Sequence, residues 1–157
     1  MLAHRQLIEH FYHAFQRRDA EAMAACYHPD AHFSDPAFPD LRGAEVGAMW
    51  AMLVARGRDL QVEFSDVAAD DATGSARWEA RYTFSATGRK VHNRIRAEFH
   101  FRDQRIVRHI DRFSFWRWSR QALGPIGWAL GWSPLLRAKV QRSAAGALAA
   151  WRAARGG

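Results

Sequence analysis

Between Ser75 and Arg102 the chain alternates apolar and polar residues almost without a break, a period of two that no helix satisfies over such a length. In residues 75–85, Ala76, Trp78, Ala80, Tyr82 and Phe84 fall on one face, with Arg77, Glu79, Arg81 and Thr83 on the other. Residues 90–102 repeat the pattern: Val91, Asn93, Ile95, Ala97, Phe99 and Phe101 alternate with His92, Arg94, Arg96, Glu98 and His100. The turn Ala86-Thr87-Gly88-Arg89 joins the two runs, so they read as antiparallel neighbours with one apolar face. A strand at 60–69, carrying Val62, Phe64 and Val67, leads in through Asp70-Asp71-Ala72-Thr73-Gly74. A last strand at 105–116 follows the turn Arg102-Asp103-Gln104.

Ahead of this meander the period is helical. Leu7, Ile8, Phe11, Tyr12 and Phe15 predict an amphipathic helix over 3–18. Asp19 is a good N-cap for a shorter helix from Ala20 to Tyr27, which His28-Pro29-Asp30 ends. A short extended piece, Ala31 to Ser34, precedes a stiff loop, Asp35 to Asp40, that contains two prolines. A third helix, Ala44 to Arg56, aligns Val46, Met49, Trp50 and Leu53 and stops at Gly57. Helices followed by consecutive antiparallel strands predict an α+β domain with its helices on one face of the sheet.

Charge separates the remainder. Residues 1–116 hold 16 basic and 16 acidic residues, whereas 117–157 hold Arg117, Arg120, Arg137, Lys139, Arg142, Arg152, Arg155 and no acid, so the net +7 belongs to the tail. We divide the chain accordingly into a body, 1–118, and a basic, Trp-rich helical extension, 119–157. Ser133-Pro134 starts a final helix over 134–154, with Leu136, Val140, Ala144, Ala147, Leu148 and Trp151 in a narrow stripe. The tail supports three readings: packing over the outer sheet face or in a dimer, contact with a membrane surface, and, least supported, contact with nucleic acid. Cys26 is the only cysteine, which excludes an internal disulfide and fits a reducing cytoplasm. The opening residues lack a secretory core and no long apolar run occurs, so the expectation is a cytoplasmic protein, with the tail at most peripheral to a membrane. No helix carries a His-x-x-x-His signature, so neither a metal nor a cofactor is expected.

The element order and three stretches together resemble the nuclear transport factor 2-like superfamily, in its SnoaL-like or ketosteroid isomerase-like group. The stretches are Gln16-Arg17-Arg18-Asp19, Tyr27-His28-Pro29-Asp30-Ala31 with Phe33-Ser34-Asp35-Pro36, and Phe99 to Val107. The resemblance spans residues 3–116 and implies a curved antiparallel sheet forming a cone around a pocket for a small hydrophobic molecule. It also implies a homodimer through the outer sheet face. Asp35 stands where ketosteroid isomerases hold their general base. Phe11 falls at their oxyanion tyrosine, with Tyr12 one residue off, and Ala97 replaces their protonated aspartate, which argues against steroid isomerisation.

On the last strand His109, Asp111, Phe113 and Phe115 are expected to share the face that looks into the cone. Asp35, His109 and Asp111 form the candidate acid–base set, since a carboxylate among apolar side chains is pushed toward neutral pH. Asn93 and Tyr12 are candidate donors to a substrate carbonyl, and Trp50, Trp78, Tyr82 and Phe113 candidate walls. Each has a plainer role available: Asp35 as a turn residue, His109 and Asp111 as a self-satisfied pair, the aromatics as core. Two classes therefore stay open, a proton-transfer isomerase, cyclase or hydrolase, and a non-catalytic ligand-binding or dimeric interaction module.

Overall fold

The computed structural model describes residues 2–156, in which one curved, unclosed sheet of six strands is combined with six helices. Helix α1 (Leu2–Gln16) buries Ile8, Phe11, Tyr12, Ala14 and Phe15 against the sheet. Helix α2 (Ala20–Ala25) is capped by the Asp19 carboxylate, which accepts from the Ala22 amide at 3.0 Å. Helix α3 (Ala44–Arg56) contributes Val46, Met49, Trp50 and Met52 to the core. Arg18, at φ +63°, reaches across to the Gly57 and Val54 carbonyls and so closes the C-terminal end of α3.

The strands are β1 (Tyr27–Ser34), β2 (Leu41–Arg42), β3 (Gln61–Ala69), β4 (Thr73–Phe84), β5 (Arg89–Arg102) and β6 (Arg105–Arg112). Their order across the sheet is β2-β1-β6-β5-β4-β3, with β1 parallel to β6 and every other pair antiparallel. The alternation in β4 and β5 puts Ala76, Trp78, Ala80 and Tyr82 opposite Ala97, Ile95, Asn93 and Val91 on the concave face. Gly74 heads this row because α1 lies so close there that a Cβ would meet the Ile8 side chain at 2.8 Å. On the convex face Arg77 pairs with Asp66, Arg94 with Glu79 and Arg112 with Glu98.

Three boundaries differ from the sequence pattern. Tyr27 opens β1 instead of closing α2; a tyrosine before Pro29 is held extended by pairing with Ile106 of β6. A two-residue strand, β2, forms after the proline loop by pairing with His32 and Phe33. The last strand stops at Arg112, four residues early, because Ser114 caps a new helix, α4 (Phe115–Leu123), by accepting from the Arg117 amide. Phe115 is therefore a helix residue, and only His109 and Asp111 of the expected quartet share the strand face.

The extension packs on the concave side, not over the outer face. Phe115, Trp118 and Ala122 of α4 bury against Val91, with Tyr82, Phe84 and Phe113 around them. Short α5 (Pro125–Leu130) folds back on α4, and α6 (Pro134–Ala154), capped by Ser133, runs along α3. Leu148 of α6 reaches the main core, with Ala144, Ala147 and Trp151 beside it, as the stripe predicts.

Candidate functional site

His109 stands opposite Phe99 of β5 and Phe33 of β1, which puts it at the deepest level of the concave face. Phe99, Phe33, Phe11 and Trp50 surround its ring at centroid distances of 4.4, 5.0, 5.8 and 6.1 Å, and none of it reaches solvent. An imidazole so enclosed needs partners for both nitrogens. Tyr27 Oη lies 2.7 Å from Nδ1 and Asp111 Oδ1 2.8 Å from Nε2. Trp50 Nε1 donates to Tyr27 Oη at 2.9 Å, and Trp78 Nε1 donates to Asp111 Oδ1 at 3.3 Å. A single proton assignment satisfies the whole chain: Tyr27 donates to Nδ1, and Nε2–H donates to Asp111.

Two buried polar atoms in this region, Asp111 Oδ2 and the Tyr12 hydroxyl, have no hydrogen-bond partner among the described residues. Burial first, and then the nearby Asp111 charge, raise the Tyr12 phenol well above its ordinary pKa, so it stays a protonated donor. The Tyr27 phenol is raised too, mainly by burial, although the Trp50 bond works the other way.

Asp35, at the rim, comes near enough to Asp111 of the inner wall for that charge to act on it. Strand β1 runs level with β6, Ser34 beside Ile110, so the next residue of each strand comes to the same end of the sheet. One Asp35 oxygen accepts from the Ala37 amide at 2.7 Å and the Phe38 amide at 2.6 Å, the turn-capping role its place before Pro36 suggests. Burial nevertheless raises the carboxyl to about 7; the Asp111 charge adds to this, while the two amides and Arg137 oppose it. The turn role and the near-neutral carboxyl coexist in one side chain.

The proposed walls meet around these groups to differing degrees. Trp50 and Trp78 are buried at centroid distance 6.1 Å from each other, both with their indole N–H committed. Tyr82 is half-buried nearer the rim, where its hydroxyl accepts from Trp118 Nε1 at 2.8 Å. Phe113 packs between the main core and the α4 cluster. Asn93 is half-buried on the concave face beside Ala80, with no side-chain hydrogen bond to the described residues. Helix α6 crosses the mouth: Gln141 donates to the Pro36 carbonyl at 3.1 Å, and Arg137 is close enough to stabilise the Asp35 carboxylate. Two grooves, about 460 and 510 Å³, lie on the convex face and are lined by residues such as Ser75 and Glu98, away from this chemistry.

Tyr27 and Arg137 escape a sequence reading. The first looks like a helix end; the second is one arginine among six in an acid-free tail. Ser114, a residue favoured at helix starts, is the local signal that would have ended the strand and turned the tail inward.

A curved, unclosed and mostly antiparallel sheet with helices packed on its concave face and two acids close together there defines an α+β class that accommodates many chemistries. The chain belongs to the family of SnoaL-like domains, whose model matches residues 8–109. Among solved structures it resembles TsrD from Streptomyces laurentii, at 24% identity and TM-score 0.64, over 77% of this chain and 95% of that one. An LEH-like epoxide hydrolase from M. tuberculosis superimposes with TM-score 0.63 at 18% identity, covering 85% and 98%. A protein with a ketosteroid isomerase-like fold from Catenulispora acidiphila, in complex with trimethylamine, reaches TM-score 0.66 at 14% identity over 78% and 95%. At these identities the likeness is one of fold. No curated protein matches the chain.

Proposed function

We propose that this protein catalyses proton transfer on a small, apolar, carbonyl- or ring-bearing molecule held at the inner rim of the cone. The observation that carries the reading is Asp35, a carboxyl raised to about 7 beside a second acid, Asp111. At neutral pH such a group exists in both protonation states, which suits a general base that must also return the proton. In this scheme the Asp35 carboxylate removes a proton next to the substrate carbonyl, and the Tyr12 hydroxyl donates to the oxygen as enolate charge develops. Asp111 presents its unpartnered Oδ2 to the substrate, while His109, with both nitrogens committed, is a positioning residue for Asp111. Asn93 is available as a second donor, and Trp78, Tyr82 and Phe113 supply the walls. An epoxide, the substrate class named for the LEH-like hydrolase of similar fold, is compatible with the same site; no cofactor enters the scheme.

The reading is tested by following hydrogen–deuterium exchange next to the carbonyl of a panel of cyclic ketones, together with the Asp35 carboxyl titration by NMR. Expected are a midpoint near 7 and exchange that Asp35→Asn reduces about 100-fold, the scale of a lost general base. A midpoint below about 5, an ordinary carboxylate range, with no exchange above buffer would overturn it. One observation favours a second reading, a non-catalytic ligand-binding module: His109 is fully satisfied within the wall. Ketones that bind with no exchange would select that alternative.

A further inference from the structure

Five of the six exposed large apolar side chains among the described residues fall within ten positions: Ile126, Trp128, Leu130, Trp132 and Leu135. They are 47–82% exposed. This is not a helix docked badly. Helix α5 docks on α4 through Gly127, which is buried, and Gly131, which follows it; a Cβ at either would collide with Ser119. Packing by its glycines obliges the bulky residues of α5 to point outward, the reverse of an arrangement built for internal stability. The indole N–H of Trp116 bonds the Trp128 carbonyl at 3.0 Å and so holds α5 in that orientation.

The rim of this patch is cationic. The Arg120 guanidinium stacks over Trp116 at 4.7 Å, beside α5, and Arg137 follows Leu135 by two residues and lies over Phe115 at 5.6 Å. Arg117, Lys139 and Arg142 are exposed on the flanking helices, and no acid occurs after Asp111. Tryptophan and leucine side chains enter the boundary between lipid headgroups and acyl chains, where arginines meet phosphate. A second copy would bring like charges together, and a nucleic acid would leave Ile126, Leu130 and Leu135 unused.

We infer that α5 and the start of α6 form a docking surface for an anionic phospholipid bilayer. The protein lies on that surface and does not cross it; no helix among the described residues is long and apolar enough to span a membrane. Leu148 and Trp151 anchor the same helix α6 to the body, so docking holds the whole domain at the interface.

The test is flotation of the full chain with vesicles of phosphatidylcholine alone and with about 30 mol% phosphatidylglycerol, at low and high salt. Expected are binding at least about tenfold stronger to the anionic vesicles, weakened by salt, and a blue shift of tryptophan emission. The combined variant Trp128→Ser, Trp132→Ser, Leu135→Ser should keep its circular dichroism, since those side chains face water, and lose about tenfold or more of the binding. The inference is overturned if the wild type fails to float with anionic vesicles or the variant floats equally well. It is also overturned if sedimentation shows a dimer that the variant dissolves, or if single-stranded RNA binds and abolishes flotation.

Discussion

The inner wall and the rim of the cone each carry an aspartate, and the two are held by different kinds of neighbour. Asp111 sits at the end of a side-chain relay, Trp50 to Tyr27 to His109, with Trp78 closing it from the other direction. Asp35 has only backbone amides from its own turn, and its carboxyl is raised to about 7. The wall is thus a structure in which removing one hydroxyl strands its neighbours, whereas the rim bears a group that costs stability when it ionises. A fold can keep such a rim group because the relay behind it, in which both His109 nitrogens and both indole N–H groups are paired, holds its own geometry.

Tyr27→Phe should have the largest effect. It removes one hydroxyl but leaves two buried groups, Trp50 Nε1 and His109 Nδ1, without partners. The expected loss is about 3 kcal/mol of unfolding free energy, read by urea denaturation. A loss below about 0.5 kcal/mol would mean that the relay is not a stabilising unit. Leu148→Ala comes next, at about 2 kcal/mol, the low end for a buried leucine because its neighbours Ala144 and Ala147 are only partly buried and can close in. A single, earlier transition would mark α6 as part of the body; an unchanged midpoint would mean that the mouth is covered only loosely.

Asp35→Asn separates rim from wall by its pH dependence. The folded-state pKa, about 7, lies above the ordinary value near 3.8, so the folded chain binds an extra proton between those two values. Stability should therefore fall as pH rises from about 4 to about 7, and the amide, which still accepts from Ala37 and Phe38, should escape that loss. At pH 8 the variant is expected to be more stable by about 1–2 kcal/mol, allowing for partial solvent access, and at pH 4 indistinguishable from wild type. Equal melting temperatures at both pH values would remove the distinction between the two aspartates.

The sheet was legible because period-two patterning is a direct image of burial on one face; β4 and β5 lie where the alternation of Trp78, Tyr82, Ile95 and Phe99 puts them. The Asp19 and Ser133 caps and the α3 stop were legible for similarly local reasons. What was not legible depends on distant pairing. Tyr27 becomes extended only because β6 lies beside it, and Ser114 ends the last strand although Phe113 and Phe115 continue its alternation. Asp35, His109 and Asp111 could be brought to one end by strand register, but the relay through Tyr27 could not, since its members come from β1, α3, β4 and β6. Charge counting located the basic tail correctly, yet could not say that Arg137 would turn back toward Asp35.

Tyr12→Phe is the smallest expected effect on stability and the sharpest comparison, because Tyr12 and Tyr27 are both buried tyrosines of the same core. The Tyr12 hydroxyl makes no hydrogen bond within the described residues, so removing it strands nothing, and the ring contacts at 5.2 Å to Phe64 and 6.1 Å to Trp78 are retained. Stability should stay within about 0.5 kcal/mol of wild type, or rise slightly, since an unpaired buried hydroxyl is itself a cost. If that hydroxyl instead serves a substrate oxygen, the same variant should slow ketone exchange about 100-fold, the scale of one lost oxyanion donor, while folding is untouched. A stability loss matching that of Tyr27→Phe would show that Tyr12 belongs to the wall and would remove it from the proposed chemistry.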